Sequence, residues 1–173
     1  MNNFQESPVK LYIQDIFRAK VTENKYIYEL FGMTFKNVMI HGVITAVYNT
    51  NNNTTNVELS DATGSVQIYY DSTKSNINTS PAILKDLYYG FSEATRAGND
   101  NVNIMSALLD RIGKKAINFA EGDYLSVTGD IFLDDRKTRM VSAYECVSTS
   151  VGRDIIWMEE LRYIYEKFYL WNK

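Results

Sequence analysis

The sequence is poor in the residues that form cross-links and metal centres: it has one cysteine, Cys146, and one histidine, His41. A single cysteine excludes an intrachain disulfide, which indicates a reducing compartment. A structural zinc site needs four Cys or His ligands, so these two side chains cannot form one within the chain. A site built from carboxylates stays open. We expect no Cys/His metal centre and no bound cofactor.

The sequence also lacks a long hydrophobic run and a surplus of positive charge. Residues 1–8 are polar, without the apolar core of a signal peptide, and no apolar stretch approaches the length that spans a membrane. The formal net charge is −3, whereas a general polyanion binder normally carries a basic surplus. A small basic patch on one face is still compatible with this charge. We expect no association with a membrane.

The residue patterns of enzymes are missing as well. No glycine-rich loop of the kind that holds phosphates is present. The single cysteine and histidine are distant in sequence, and the acidic pairs Asp134-Asp135 and Glu159-Glu160 are adjacent, so the side chains of each pair diverge. We therefore expect a protein that is not an enzyme.

What the sequence does have is aromatic side chains and a regular alternation of apolar and polar residues. Thirteen Tyr, eight Phe and two Trp suit a core, a stacking platform or a protein interface. Period-two alternation predicts five strands, at residues 37–48, 57–60, 65–70, 124–133 and 139–147. The turn Asp61-Ala62-Thr63-Gly64 predicts a hairpin between the second and third strands. Residues 9–17 predict an extended segment that lies over the barrel.

Helical spacing appears in two places. Ser80-Pro81 predicts the start of a helical insertion over about residues 80–116, with a second helix near 104–112. Asp154 is the predicted N-cap of a C-terminal helix over about residues 154–171. Five strands with a helix between the third and fourth is the order of an OB-fold barrel, and a generic α+β domain with a five-stranded sheet is the alternative. We expect a mainly β protein with helices, one domain over residues 1–173, with the barrel over about 37–147.

Three motifs resemble a known family in their order and spacing. They are residues 35–44 (FKNVMIHGVI), 59–66 (LSDATGSV) and 122–129 (GDYLSVTG), and residues 163–169 (YIYEKFY) resemble the end of the family's C-terminal helix. Together they resemble the N-terminal OB domain of the Stn subunit of the telomeric CST complex, including its short Verrocchio-type members. The wider kinship is to the middle subunit of replication protein A.

This resemblance implies a function and a set of partners. It implies a telomere-capping subunit in the nucleus, at the chromosome end, that binds single-stranded DNA. It also implies pairing with a small Ten-like OB-fold protein through the C-terminal helix, and association with a larger subunit of the telomere complex. A replication protein A-like role, and a scaffold that binds little DNA, are the alternatives.

The strand pattern gives candidate DNA-binding residues. If Val66 and Ile68 point inward, their neighbours on the third strand point outward, as does one aromatic residue on the fourth. Aromatic side chains stack on bases and cations contact phosphates. Alternatively, the insertion or the N-terminal segment covers the aromatic residues, and the charges form a solvated turn. The candidates are Gln67, Tyr69, Phe132, Arg136, Lys137 and Arg139.

The C-terminal helix gives candidate partner-binding residues, because its apolar residues form two neighbouring rows. One row seals the barrel or meets a partner helix, and the second row needs another surface to cover it. The alternative is that the whole helix only plugs its own barrel. The candidates are Trp157, Leu161, Ile164, Phe168 and Trp171 in the first row and Met158, Tyr165 and Tyr169 in the second.

Overall fold

The computed structural model describes residues 4–74, 81–96 and 118–170, together with Gly98 and Val102. The chain divides into two compact units. The first is Met1–Ser75 with Ile117–Lys173, and the second is Asn76–Ala116. The first unit contains the long strands and the C-terminal helix, and the second contains the insertion.

Short elements precede the long strands. They are the strands β1 (Phe4–Gln5) and β2 (Val9–Lys10), the helix α1 (Ile13–Arg18), and the strands β3 (Lys20–Val21), β4 (Tyr28–Leu30) and β5 (Met33–Phe35). Strands β1, β5, β4 and β3 form a small sheet in that order, while β2 joins the main sheet.

Five long strands close into a barrel. They are β6 (Asn37–Tyr48), β7 (Thr54–Asp61), β8 (Gly64–Asp71), β9 (Tyr124–Leu133) and β10 (Arg139–Thr149). Strand β6 pairs antiparallel with both β7 and β9, while β10 pairs with β9 antiparallel and with β8 in parallel. The order β6-β7-β8-β10-β9 therefore closes on itself, which confirms the predicted five-stranded OB-fold barrel.

Every second residue of each long strand points into the barrel, and these side chains fill its interior. Successive side chains of a strand point to opposite faces, so one face of each strand supplies the core and the other lies outside. The buried interior residues are Val38, Ile40, Ile44, Val57, Leu59, Val66, Ile68, Leu125, Val127, Ile131, Val141 and Ala143. Burial of this apolar surface is the main favourable term in folding.

The N-terminal segment differs from the prediction. Residues 9–17 were expected to be extended throughout, but only β2 is a strand and α1 follows it. The reason is a long-range contact: the Asp61 carboxylate accepts a hydrogen bond from the Ile13 backbone N–H at 2.8 Å, and Thr63 Oγ1 accepts one from Gln14 N at 3.1 Å. The predicted hairpin turn thus caps the start of α1, whose Ile13 and Ile16 side chains are buried.

The insertion contributes the helix α2 (Pro81–Arg96), which follows β8 and precedes β9 in the chain. Its start at Pro81 agrees with the prediction. The side chains Leu87, Phe91 and Ala94, with Val102, line an open apolar cavity of about 510 Å³ within the second unit. The second helix predicted near residues 104–112 lies outside the described residues.

The C-terminal helix α3 (Val151–Ile164) starts earlier than predicted and continues as a π-helical turn, Tyr165–Tyr169. Its N-cap is Ser150, whose Oγ accepts a hydrogen bond from Arg153 N at 3.4 Å. The prediction of Asp154 as N-cap is wrong, because Asp154 already lies in the first turn of the helix.

Two glycines allow the strands to approach each other closely. A Cβ atom at Gly42 would collide with the carbonyl oxygen of Ser60, and one at Gly129 with that of Ser142. Gly152 in α3 is different, because a Cβ there would be 3.8 Å from Ser150 Oγ, an ordinary contact.

We predict that Gly129→Ala lowers the free energy of unfolding by about 1–3 kcal/mol, because the added methyl forces the β9–β10 pair apart. The matched control, Gly152→Ala, raises it by ~0.4–1 kcal/mol, because alanine restricts the unfolded chain. Urea denaturation of both variants measures the difference. Equal effects of the two substitutions would contradict the close approach.

Candidate functional site

The register of four strands brings part of the predicted DNA-binding set onto one outer face of the barrel. Phe132 lies opposite Met140 on β10, which lies opposite Gln67 on β8, which lies opposite Glu58 on β7. In the neighbouring row of this surface, Tyr69 lies between Asn56 and Ser142. We call this partly exposed surface the outer sheet face; its residues are Asn56, Glu58, Gln67, Tyr69, Asp130, Phe132, Met140 and Ser142.

A hydrogen-bonded polar array crosses the outer sheet face. Glu58 Oε1 accepts a hydrogen bond from Thr45 Oγ1 at 2.7 Å, and Glu58 Oε2 accepts one from Gln67 Nε2 at 3.4 Å. Thr45 Oγ1 also lies 3.1 Å from Ser60 Oγ, which lies 2.7 Å from Ser65 Oγ. Sequence reasoning missed Glu58, although the alternation on β7 places it outside between the inward residues Val57 and Leu59.

In the part of the chain that the structure describes, few cations lie near this face. Lys36 pairs with Asp130 at 3.3 Å, so its charge is partly neutralised. In the turn between β9 and β10, Asp134 Oδ1 accepts hydrogen bonds from the backbone N–H groups of Arg136 and Thr138. This turn leaves the Arg136 and Lys137 side chains exposed, and neither forms an ion pair with a described residue.

Arg139 does not belong with these cations. Its Nη1 donates a hydrogen bond to the Ile16 carbonyl oxygen at 2.6 Å, and the guanidinium lies 5.4 Å from the centroid of the Tyr28 ring. It therefore fastens α1 to the start of β10. Its side chain already holds the N-terminal segment, and its assignment to DNA binding stays a prediction.

The inner face of α3 packs against the chain's own barrel. Trp157 and Leu161 are 2% and 0% exposed, and the Trp157 ring lies 5.8 Å from that of His41 on β6. Lys10 Nζ lies 5.3 Å from the Trp157 ring and also pairs with Glu160 at 2.9 Å. Trp157 and Leu161 were predicted as partner-binding residues, and this is wrong because their own core covers them.

Tyr165 and Tyr169 are also occupied within the chain. The Tyr165 hydroxyl donates a hydrogen bond to the Asp15 carboxylate and accepts one from Tyr12 N at 3.2 Å, while the Tyr169 hydroxyl donates to the Lys10 carbonyl oxygen at 3.1 Å. Burial raises the pKa of both phenols, that of Tyr169 to about 12. Both fasten the helix end to the N-terminal segment through their hydroxyl groups, and their assignment to a partner stays a prediction.

The outer face of α3 also exposes large apolar side chains, between the charged residues Glu159, Arg162 and Glu166. Ile155 is 63% exposed, Phe168 is 61% exposed and Tyr163 is 58% exposed. Of the predicted partner-binding set, Met158 and Phe168 belong to this face, Ile164 is half-buried, and Trp171 lies outside the described residues. We call this surface the outer helix face; its residues are Val151, Ile155, Ile156, Met158, Tyr163, Phe168 and Leu170.

The π-helical turn explains why Phe168 is exposed. Leu170 N donates to Tyr165 O at 3.0 Å, a bond that spans five residues where an α-helix spans four. The wider turn moves Phe168 out of the row of Trp157 and Leu161, and its ring meets the Tyr163 ring at 6.1 Å in an edge-on arrangement. The four-three spacing in the sequence assumed a regular helix and therefore could not reveal this.

Solved structures share this architecture at low sequence identity. A chain of the S. pombe Stn1–Ten1 complex matches with a TM-score of 0.55 and 18% identity, over 94% of this chain and 93% of that chain. A chain of a replication protein A heterotrimer bound to single-stranded DNA matches with a TM-score of 0.54 and 12% identity, over 92% and 91%. A chain of the yeast Stn1 and Ten1 structure matches with a TM-score of 0.55 and 11% identity, over 92% and 72%.

This chain has the OB fold of these proteins. The fold expected from the three sequence motifs is thus confirmed, with its kinship in fold to Stn1 and to replication protein A. No protein-family model and no curated protein matches the sequence. None of the helices in the described residues is long and apolar enough to cross a membrane.

His41 connects the OB barrel to α3. The side chain is buried beneath the helix, stacked at 6.1 Å on Tyr124, with Nε2 at 3.2 Å from Asp154 Oδ1. Burial lowers the pKa of His41 below its ordinary value of 6.5, and the nearby Arg153 lowers it too, while Asp154 partly opposes both. Burial beneath the helix thus favours the neutral imidazole.

We predict that the stability of the protein falls as the pH is lowered below 6.5 and that His41→Gln removes this part of the pH dependence. The unfolded chain binds a proton to His41 in this range, whereas the folded chain binds it only at lower pH, so acid favours unfolding. Chemical denaturation between pH 7.5 and 5.5 measures the slope. An unchanged slope in the variant would contradict the assignment.

Proposed function

We propose that this chain is a non-catalytic OB-fold subunit of a telomere-capping complex. It pairs with a small OB-fold protein through α3 and contributes to binding single-stranded DNA. In the complex it also meets a larger subunit, in the nucleus at the chromosome end. Structures of the same fold include Stn1 with Ten1 and a replication protein A heterotrimer bound to single-stranded DNA, which supports this combination of roles.

The observation that carries the pairing is the outer helix face. Helix α3 already buries Trp157 and Leu161 on one side, yet its other side exposes large apolar side chains between Val151 and Leu170, interspersed with charged ones. Soluble monomers rarely keep a large apolar patch exposed. A partner that covers this side of α3 would remove its exposed apolar side chains from water.

The outer sheet face supports a contribution to DNA binding. Tyr69 and Phe132 offer rings for stacking, Gln67 offers a polar group beside them, and Arg136 and Lys137 supply nearby charge for phosphates. Against this, Glu58 and Asp130 place two carboxylates on the same face. The acidic groups favour the alternative of a pairing scaffold with little DNA binding, while a replication protein A-like middle subunit would use both surfaces in the same way.

We predict that Ile155→Glu and Phe168→Glu each abolish pairing with a Ten1-class protein from the same organism, because each buries a charge at the centre of the contact. The matched control is Tyr26→Glu, which replaces another exposed aromatic residue, 55% exposed, in the N-terminal segment. Light scattering on the mixed proteins gives the mass of the complex, and circular dichroism checks the fold. A chain that stays monomeric and binds no small OB-fold protein contradicts the pairing.

We also predict that replacing both Tyr69 and Phe132 by alanine weakens binding to single-stranded DNA by about tenfold or more, since stacking contributes ~1–3 kcal/mol per base. The matched control is Tyr26→Ala. Fluorescence anisotropy with labelled oligonucleotides measures the affinity. Unchanged binding by the double variant would exclude this face, and a preference for duplex DNA would contradict a single-strand role.

A further inference from the structure

The polar array on the outer sheet face holds one carboxylate in a fixed orientation. The Thr45 hydroxyl and the Gln67 amide each donate to a different oxygen of Glu58, at 2.7 Å and 3.4 Å. These donors come from the strands on either side of β7, so the carboxylate is held from both sides. Glu58 is half-exposed, and it forms no ion pair with a Lys or Arg among the described residues.

Glu58 keeps hydrogen-bonding capacity that the protein does not use. A carboxylate has about four lone-pair sites, and Thr45 and Gln67 use two of them. Asp130, the other carboxylate of this face, is instead paired with Lys36 at 3.3 Å. Glu58 is therefore an oriented acceptor that faces solvent, next to the stacking candidates.

Glu58 lies close enough to Tyr69 to contact the edge of a base that stacks on the Tyr69 ring. Glu58 lies opposite Gln67, and Tyr69 is the next outward residue on β8, which places it diagonally across from Glu58. Diagonal neighbours on paired strands are about 7–8 Å apart. A nucleobase that stacks on Tyr69 can therefore direct its edge toward the Glu58 carboxylate.

We propose that Glu58 reads the base stacked on Tyr69 and selects guanine; this rests on the proposed binding of single-stranded DNA. The Watson–Crick edge of guanine presents two adjacent donors, N1–H and N2–H, that match the two oxygens of one carboxylate. Cytosine and adenine each present one amino group at that edge, and thymine presents a single N–H between two carbonyl oxygens. Single-stranded bases are commonly read by hydrogen bonds to this edge.

The negative charge of Glu58 also sets the path of the strand. A carboxylate repels phosphate, so the sugar–phosphate backbone must run away from Glu58. Arg136 and Lys137, exposed in the β9–β10 turn, are available to the backbone, while the bases face the sheet. This orientation is the one that base reading requires.

The test uses the full chain and three labelled strands of equal length. One carries isolated guanines separated by thymines, one carries inosine at those positions, and one contains thymine only. Inosine keeps N1–H and lacks the N2 amino group, so it removes one of the two donors. We expect the guanine strand to bind about tenfold more tightly than the inosine strand, the range of a good bidentate contact.

Two variants separate base reading from simple charge. Glu58→Gln erases the difference between guanine and inosine, because an amide presents one oxygen and one donor group. Asp130→Asn, the matched control, retains the difference because Asp130 is already paired. If Glu58→Gln strengthens binding to all three strands equally, Glu58 only repels phosphate and the proposal is wrong.

Different results would contradict base reading by Glu58 and binding of single-stranded DNA. If the protein binds all three strands with equal affinity, base reading by Glu58 is wrong while single-strand binding stands. If it binds none of them, the DNA-binding part of the proposed function is wrong as well, and base reading with it.

Discussion

The structure depends on the double pairing of β6, which hydrogen-bonds to β7 on one side and to β9 on the other. This pairing closes the barrel. Gly42 permits the close approach of β6 to β7, and Gly129 permits that of β9 to β10. Closure assigns every strand residue to an inside or an outside. The inside is an apolar core, and the outside carries both the packing of α3 and the surfaces proposed above for binding.

The outer surface of the barrel is used in two ways. Above β6, His41 and Tyr124 are covered by Trp157 of α3, and Tyr165 and Tyr169 fasten the helix end to the N-terminal segment. Across β7, β8 and β10 the residues of the outer sheet face are partly exposed. Because α3 is fixed so firmly by its inner side, its outer side is a rigid platform, and little ordering entropy opposes a partner that docks there.

The strands and their order could be predicted because period-two alternation reports burial directly, and a closed barrel leaves little freedom of register. The misplaced elements all depend on contacts distant in sequence. Helix α1 follows from the Asp61 carboxylate, and Arg139 is turned inward by the Ile16 carbonyl oxygen. For the candidate site, the sequence correctly predicted that Gln67, Tyr69 and Phe132 share one face. It did not predict which side of α3 faces outward, because a helical wheel cannot show which apolar row meets the core or where a π-helical turn begins.

The acidic charge of the outer sheet face makes the pairing through the outer helix face important for the proposed DNA binding. Among the described residues, few free cations lie near the outer sheet face, and Glu58 and Asp130 would oppose phosphate there. In the proposed DNA binding, counterion release would therefore contribute little and stacking would carry the affinity. One such face gives weak binding by itself. In the proposed complex, pairing through the outer helix face would add any nucleic-acid surface of the partner at high effective concentration, which would strengthen binding without a new contact on this chain. On this proposal, the exposed apolar side chains of α3 are what lets an acidic OB-fold serve as a DNA-binding subunit.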